Sequence, residues 1–428
     1  MIRQTNIWKI IQNWINSFRP DEIPPLPQSS RNCTAEESRK KASEKPSKTK
    51  TDNLLQEIQS FMETTYDFRF NLLTEETEYR TQGTNTSTAY RIADQRALNS
   101  LCMEAKTRGI ACWDRDISRY IHSYSVKEYH PFTSYMDNLP DWDGTDRLEN
   151  LARRVSGNPL WMKGFRRWML AMTAQWMQLD HLHGNSVAPV LISRKQGRQK
   201  STFCKLLLPA VLQRYYTDSI DLNAPTQMER KLSLFGLVNL DEFDKIPPKK
   251  MPLLKNLMQM AELNIRKAYQ KSYASLPRMA SFIATSNQKE LLSDPSGSRR
   301  FLCIEVEEKI DCSPIDHDQI YAQLKTCLSG GERYWFTSRE EAEIMASNAK
   351  FYKQTIEEDI FHSCFRQASK SEHPLLLSAA EIFERMKKQN PAAMLGTTAN
   401  RIGPFLNNLG IERIHTRYGN RYKVMAWD

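Results

Sequence analysis

Long apolar runs are missing from this chain. Nothing approaches the ~18–20 uninterrupted apolar residues that cross a bilayer. The nearest candidate, LWMKGFRRWMLAMTAQWMQL from residue 160, is broken by Lys163, Arg166 and Arg167 and reads as a helix of a soluble protein. A signal-peptide core is missing too: Ile7, Ile10, Ile11, Trp14, Ile15 and Phe18 recur at helical spacing, but Lys9, Gln12, Asn13 and Asn16 interrupt them. The eight cysteines, at 33, 102, 112, 204, 303, 312, 327 and 364, include no CxxC pair. That argues against a zinc ribbon or a disulfide framework and points to the reducing cytoplasm. His181 and His183 have no second pair of ligands nearby in the sequence and are assigned neither metal nor function.

What is present is length and positive charge. The 428 residues suffice for two or three domains, and 60 Lys and Arg against 50 Asp and Glu give a net charge of +10. That balance favours partners that carry phosphate. Residues 1–19 read as an amphipathic helix that docks on the body or binds a partner or membrane surface. Residues 20–51, rich in Pro, Ser and Lys, read as a flexible linker.

Residues 52–127 form an N-terminal α+β region, with a helix capped by Asp52 (DNLLQEIQSFMETT) and a hairpin in YDFRFNLLTEETEYR. In the next stretch Trp142, Asp143 and Gly144 make a turn, and Arg147 opens a helix with Leu148 and Leu151 on one face. Residues 128–330 hold the catalytic candidate: the apolar segments APVLIS, LFGLVNLDE and ASFIATSN, separated by helical stretches, have the βαβ pattern of a parallel sheet. Residues 331–375 read as a helical connector. In 376–428 two helices, SAAEIFERMKKQ and TTANRIGPFLNNLG, precede a basic hairpin turning at YGN, which suggests a winged-helix-like domain. The expected fold is thus an α/β P-loop core with a helical N-terminal region and a small C-terminal winged-helix-like domain.

In VAPVLISRKQGRQKSTFCKLLLP a strand enters a polar loop, and Lys200, Ser201 and Thr202 open a helix, as in a phosphate-binding loop. Lysine suits the β and γ phosphates of ATP, the Ser201 hydroxyl suits Mg2+, and Thr202 suits another phosphate. Arg194 and Gln199 occupy the two positions where GxxxxGK[ST] has glycine, leaving Gly197 as the loop's one glycine. Forty residues on, LFGLVNLDEFDK ends a strand in Asp241 and Glu242, which suit Mg2+ orientation and polarisation of the attacking water. Asp244 reads as a solvated or salt-bridged loop residue. PRMASFIATSN ends in Thr285, Ser286 and Asn287, whose amide suits the γ phosphate or the lytic water; a strand cap is the alternative. In SDPSGSRRFLCIEV, Arg299 and Arg300 suit charge on a transferred phosphoryl group, often across a subunit boundary.

The order of KST at 200, LDE at 241, ATSN at 285 and GSRRF at 297 resembles motifs A, B and C of superfamily 3 helicases with their arginine finger. More narrowly, WDGTDRL, LDEFDK, ATSN and GSRRFL resemble the virulence-associated protein E family over residues 128–330. Relatives occur in phages, plasmids and genomic islands, and forms with a C-terminal helix–hairpin extension are typical of Bacteroides-like bacteria. The resemblance implies an AAA+-like ATPase that assembles into a homo-oligomeric ring, such as a hexamer, and moves or melts DNA in replication of a mobile element. It also implies a primase partner; the region before residue 130 is too short and lacks a carboxylate triad for priming, so no primase activity is assigned to this chain.

Superfamily 3 rings place a DNA-tracking hairpin between motifs B and C. There Lys255, Arg266, Lys267, Tyr269, Lys271 and Tyr273 suit single-stranded or forked DNA, lysines on phosphate and tyrosines on bases; a solvated hairpin is the alternative. Arg413, Arg417, Arg421 and Lys423 in the terminal hairpin suit duplex DNA or subunit packing. Three functions follow: an ATP-driven DNA helicase or translocase, a nucleotide-gated DNA-binding protein with little hydrolysis, and an ATPase acting on protein assemblies.

Overall fold

The computed structural model describes residues 50–83, 89–179, 183–266, 273–292, 295–353, 356–367, 373–417 and 419–427. The expected helix at 1–19 and nearly all of the linker at 20–51 lie outside them. The chain divides into two units, 1–60 and 61–428. In the first, the described residues belong to α1 (Lys50–Thr65), which begins ahead of Asp52, so Asp52 is inside the helix rather than its cap.

The second unit opens with the expected hairpin, β1 (Tyr66–Asn71) and β2 (Glu76–Thr81), paired antiparallel. Strands β3 (Arg91–Ile92) and β4 (Lys127–Tyr129) extend it to the order β3-β2-β1-β4, with β4 parallel to β1. Helices α2 (Gln95–Thr107) and α3 (Asp114–Ile121) bury Leu98, Leu101, Ile117 and Ile121. Buried Glu78 of β2 fixes this sheet to the central body, with Arg69 at 2.7 Å on its own sheet and Arg214 at 2.6 Å beyond it. Against the opposing effect of burial, a hydrogen bond from Asn71 and these guanidiniums hold the carboxyl below its usual range.

Helices α4 (Pro131–Asp137), α5 (Arg147–Arg153) and α6 (Pro159–Trp176) lead into the central sheet. It comprises β5 (Ala188–Ile192), β6 (Tyr216–Thr217), β7 (Leu237–Leu240), β10 (Ser281–Ser286) and β11 (Phe301–Glu305), in the order β11-β5-β10-β7-β6, all parallel. The three apolar segments expected as strands are β5, β7 and β10, and their near-continuous apolar character follows from burial on both faces. Alternate residues feed two cores. Leu191, Leu237, Ile283 and Leu302 join Trp161, Phe165, Trp168 and Trp176 of α6 and Phe203 of α7 (Lys200–Leu206) on one face. Val190, Val238, Phe282 and Phe301 join Met228 and Leu232 of α8 (Pro225–Leu234) and Leu254 and Leu257 of α9 (Met251–Gln259) on the other. An antiparallel pair, β8 (Glu262–Arg266) and β9 (Tyr273–Pro277), projects between α9 and β10.

The WDG turn has a structural role. Asp143 accepts two hydrogen bonds of 2.7 Å from Arg147, and Asp146 caps α5 while accepting from Gln323 of α10 (His317–Ser329) at 2.8 Å. Residues 331–375 are more than a helical connector. After α11 (Ser338–Ser347), which lies against the residues preceding β11, the chain forms α12 (Ile356–Cys364) and β12 (Phe365–Gln367), and both belong to the C-terminal core. The physical reason is pairing: β12 joins β15 (Gly419–Ala426), which also pairs with β13 (Leu375–Leu377) and β14 (Arg413–Thr416), all antiparallel. The helices expected in this region are α13 (Ala379–Gln389), with Ser378 and Glu381 forming a capping box, and α14 (Ala399–Asn408). No helix among the described residues is long and apolar enough to cross a membrane.

At Gly236, just before β7, a Cβ would meet the fully buried ring of Phe132 at 2.4 Å. A rigid ring cannot yield that distance, so Gly236→Ala should destabilise the fold by about 1–3 kcal/mol. Urea unfolding should show a lower midpoint at unchanged slope.

Candidate functional site at the carboxyl ends of the central strands

Strands β5 and β10 are neighbours whose onward connections diverge. From β5 the chain runs through α7 to β6 on one side; from β10 it reaches β11 on the other side of β5. In open parallel sheets this reversal opens a crevice beyond the strand ends, where ligands bind. The register brings those ends level, with Ser286 beside Ile192 and Ala284 beside Leu240.

Polar residues from four segments converge there. Lys200, the first residue of α7, is buried, and its Nζ donates to Asn287 Oδ1 at 3.0 Å and to the Ser193 carbonyl at 3.4 Å. Burial pushes its ammonium below the usual lysine range, partly opposed by Asp241 and Asp244. Ser201 donates through its hydroxyl to Asp241 Oδ1 at 2.9 Å, and the Thr285 hydroxyl donates to the same oxygen. The next residue, Thr202, is exposed at the mouth.

Asp244 is not a solvated or salt-bridged loop residue: it accepts from the Ser286 hydroxyl at 2.7 Å and the Asn287 amide at 3.3 Å, tying the loop after β7 to the end of β10. The intervening Phe243 is buried against Phe301 at 4.9 Å and pins that loop. Glu242 stands exposed beside it at φ +51°, and its Oε1 accepts from Lys245 at 2.8 Å. Thr285 and Asp244 were not singled out for the site by sequence reasoning. The signal was there: the adjacent hydroxyls of ATSN need two acceptors once buried, and LDEFD offers two aspartates.

The loop before α7 turns through two left-handed residues, Gly197 at φ +75° and Gln199 at φ +61°. Glycine adopts this region freely, whereas a side chain costs about 1–2 kcal/mol. Gln199 therefore holds a glycine conformation under strain. Arg194, at the other glycine position, is 70% exposed and lies 3.9 Å from Glu290.

The arginines stand apart from this cluster. Phe301 pairs with Ala188, so Arg299 and Arg300 precede β11 at the start of β5, whereas Lys200 follows the end of β5. The length of β5 alone puts roughly 16 Å between them. Arg299 instead reaches Glu341 of α11 at 3.3 Å.

Among the residues expected to meet DNA, Lys255 is half-buried on α9, and Arg266 ends β8 opposite Tyr273, which is 71% exposed. Lys267, Tyr269 and Lys271 lie outside the described residues. In the terminal hairpin Arg421 is held by Glu381 and Lys423 by Glu412, while Arg413 and Arg417 are exposed.

The fold and its site define a parallel α/β domain with lysine, serine, aspartate and asparagine converging at the strand-order reversal. The chain belongs to the virulence-associated protein E-like domain family, which matches residues 136–353. Residues 354–424 match a domain of unknown function from a B. theta gene (DUF3874). The junction between the two falls just ahead of α12. No curated protein matches. Solved structures similar to the chain include the apo structure of the NrS-1 C-terminal region (305–718), with 14% identity, TM-score 0.43 and coverage of 88% of this chain and 99% of that one. The A form of the same region aligns at 13% identity and TM-score 0.42, over 87% of this chain and 100% of the other. Likeness at that level assigns neither ligand nor activity.

The loop geometry predicts opposite effects of two substitutions. Gly197→Ala should destabilise by about 1–2 kcal/mol. Gln199→Gly should be neutral or stabilising by up to about 1 kcal/mol, relief of strain being partly offset by the freer unfolded chain. Thermal unfolding of both variants checks the pair; a neutral Gly197→Ala would sink the left-handed turn.

Proposed function

We propose that the crevice between β5 and β10 is an ATP site and that the chain is a DNA-handling P-loop ATPase of the superfamily 3 kind, acting in replication of a phage, plasmid or genomic-island element. The observation that carries this reading is the convergence of Lys200 with Asn287 and of Ser201 with Asp241 from segments 87 and 40 residues apart in sequence. In this reading the residues around Gly197 turn the chain about the phosphates, Lys200 neutralises their charge, and Thr202 contacts a phosphate at the helix start.

The Ser201 and Asp241 oxygens suit Mg2+. Their hydrogen bond of 2.9 Å sets the two oxygens side by side, where both would hold one ion that neutralises phosphate charge. Glu242 takes the proton of the attacking water, and Asn287, released from Lys200, holds that water or a γ-phosphate oxygen. Arg299 and Arg300, at the other end of the sheet, serve the nucleotide of a neighbouring copy, so this reading requires a homo-oligomeric ring. The β8–β9 hairpin, with Arg266, Lys267, Tyr269 and Lys271, and Lys255 on α9 supply the DNA contacts, and the C-terminal helix–helix–hairpin acts as a winged helix. Priming is left to a separate protein.

A second reading draws on the ion pair that engages Glu242 with Lys245 and on the strained Gln199: nucleotide binds and gates DNA affinity with little turnover. Steady-state ATPase assays with and without single-stranded DNA separate the two. The motor reading expects DNA-stimulated turnover that falls by at least about 100-fold in Glu242→Gln and Lys200→Ala, the first retaining nucleotide binding and the second losing it. Retained nucleotide binding without turnover in the wild type would favour the gated binder; hydrolysis indifferent to DNA would favour an ATPase acting on protein assemblies.

A further inference from the structure

At the amino-terminal edge of the central sheet, away from the nucleotide crevice, lies a cavity of about 220 Å3 whose lining includes His183, Gly184, Asn185, Gln259 and Trp335. Two groups in and behind its wall have unmet bonding capacity. Asn185 is 2% exposed; its Nδ2 donates to the Trp168 carbonyl at 3.2 Å and to Ser281 Oγ at 2.9 Å, while its Oδ1 is buried without a donor among the described residues. Arg278, 1% exposed, donates to Gln175 Oε1 at 3.2 Å and to the carbonyls of Asn185 at 3.0 Å and Leu257 at 3.4 Å, and its buried Nε has no acceptor among the described residues. Every one of these acceptors is neutral. Burial pushes the guanidinium down to about 9, still charged at neutral pH.

A buried cation with no carboxylate partner among the described residues is strongly unfavourable, and its field attracts an anion. Gly184 keeps the wall thin, because a Cβ there would come within 2.9 Å of Arg278 Nη2. At the cavity's outer side Trp335 is 40% exposed and stacks on His183 at 4.5 Å and 17°. Gln259 ends α9 immediately before the β8–β9 hairpin, so the cavity adjoins the base of that hairpin.

We propose that this cavity receives one nucleobase of single-stranded DNA, stacked on the Trp335–His183 pair, with the exposed Gln259 side chain at the base edge and the adjoining phosphate drawn by the charge of Arg278 behind the wall. The aromatic platform, the Gln259 amide and the buried cation behind the wall match the three parts of a nucleotide unit: base face, base edge and phosphate. The assignment rests on the DNA-handling reading above and gives it a definite stop beside the hairpin.

The test is fluorescence anisotropy of the full chain with a labelled oligothymidylate and with the same strand carrying abasic sites, for wild type, Trp335→Ala and Trp335→Phe. Trp335→Ala should weaken oligothymidylate binding by roughly 5- to 150-fold, as loss of one stacked base predicts, and Trp335→Phe should restore most of it. The abasic strand should bind weakly and show little difference among the three proteins. Unchanged affinity of Trp335→Ala for oligothymidylate would leave the DNA reading standing and overturn the cavity assignment. An equal loss on the abasic strand would also overturn it. Failure of the wild type to bind any strand would remove both. Because Trp335 is partly exposed and outside the nucleotide crevice, thermal unfolding and nucleotide binding should match wild type in both variants.

Discussion

Everything at the candidate site depends on β10 lying parallel beside β5, with Ser286 level with Ile192. Burial of β10 on both faces forces this arrangement, since its backbone groups have no water to turn to and must find strand partners. Once in place, its carboxyl end presents Thr285 and Ser286, which are also buried and need acceptors. Asp241 takes one hydroxyl and Asp244 the other. Neighbouring residues on a strand point to opposite faces, so the two aspartates clasp the end of β10 from both sides, and the loop after β7 is fixed with Glu242 outward between them. Orientation of the acidic pair LDE is therefore a consequence of satisfying two buried hydroxyls.

The same pairing puts Lys200 in a costly place. Its ammonium is buried, and its acceptors are the neutral Asn287 and a backbone carbonyl, with Asp241 and Asp244 contributing only through their fields. A lysine so placed is under-neutralised, and a polyphosphate would relieve it. The strain at Gln199 acts on the same short turn. Strain and under-neutralised charge thus fall on two successive residues of the loop.

Legibility in the sequence followed the range of the interactions. The strands β5, β7 and β10, the hairpin β1–β2 and the capping box at Ser378 were readable because each is written in a short window of apolar alternation or cap chemistry. The residue cluster Lys200, Ser201, Asp241 and Asn287 was readable because each lies at a strand or helix end in a known order. Strand β6 was not: two residues carry no period, and only their pairing with β7 makes them a strand. Strand β12 was hidden for the same reason, since its partner β15 lies near the other end of the domain, and the segment around it passed for a connector. Asp244 looked like a loop carboxylate because its partners are 42 residues away.

The two edges of the sheet divide the chemistry between them. At the carboxyl edge stand Lys200, Ser201, Asp241 and Asn287; at the amino edge stand Arg299, Arg278 and the base of the β8–β9 hairpin. Strand β10 joins them, beginning three residues after Arg278 and ending one residue before Asn287. It is paired on both sides, packed on both faces and gripped near its start by the Trp168 indole, which donates to the Phe282 carbonyl at 3.1 Å. A strand held in this way moves as a rod or not at all, because interior packing does not deform continuously. If the proposed nucleotide site exchanges Lys200 for a phosphate, Asn287 loses its partner, and the resulting displacement has one stiff path to Arg278 and the hairpin. Coupling between ATP and DNA in this chain would then be carried by the same strand whose pairing builds the site.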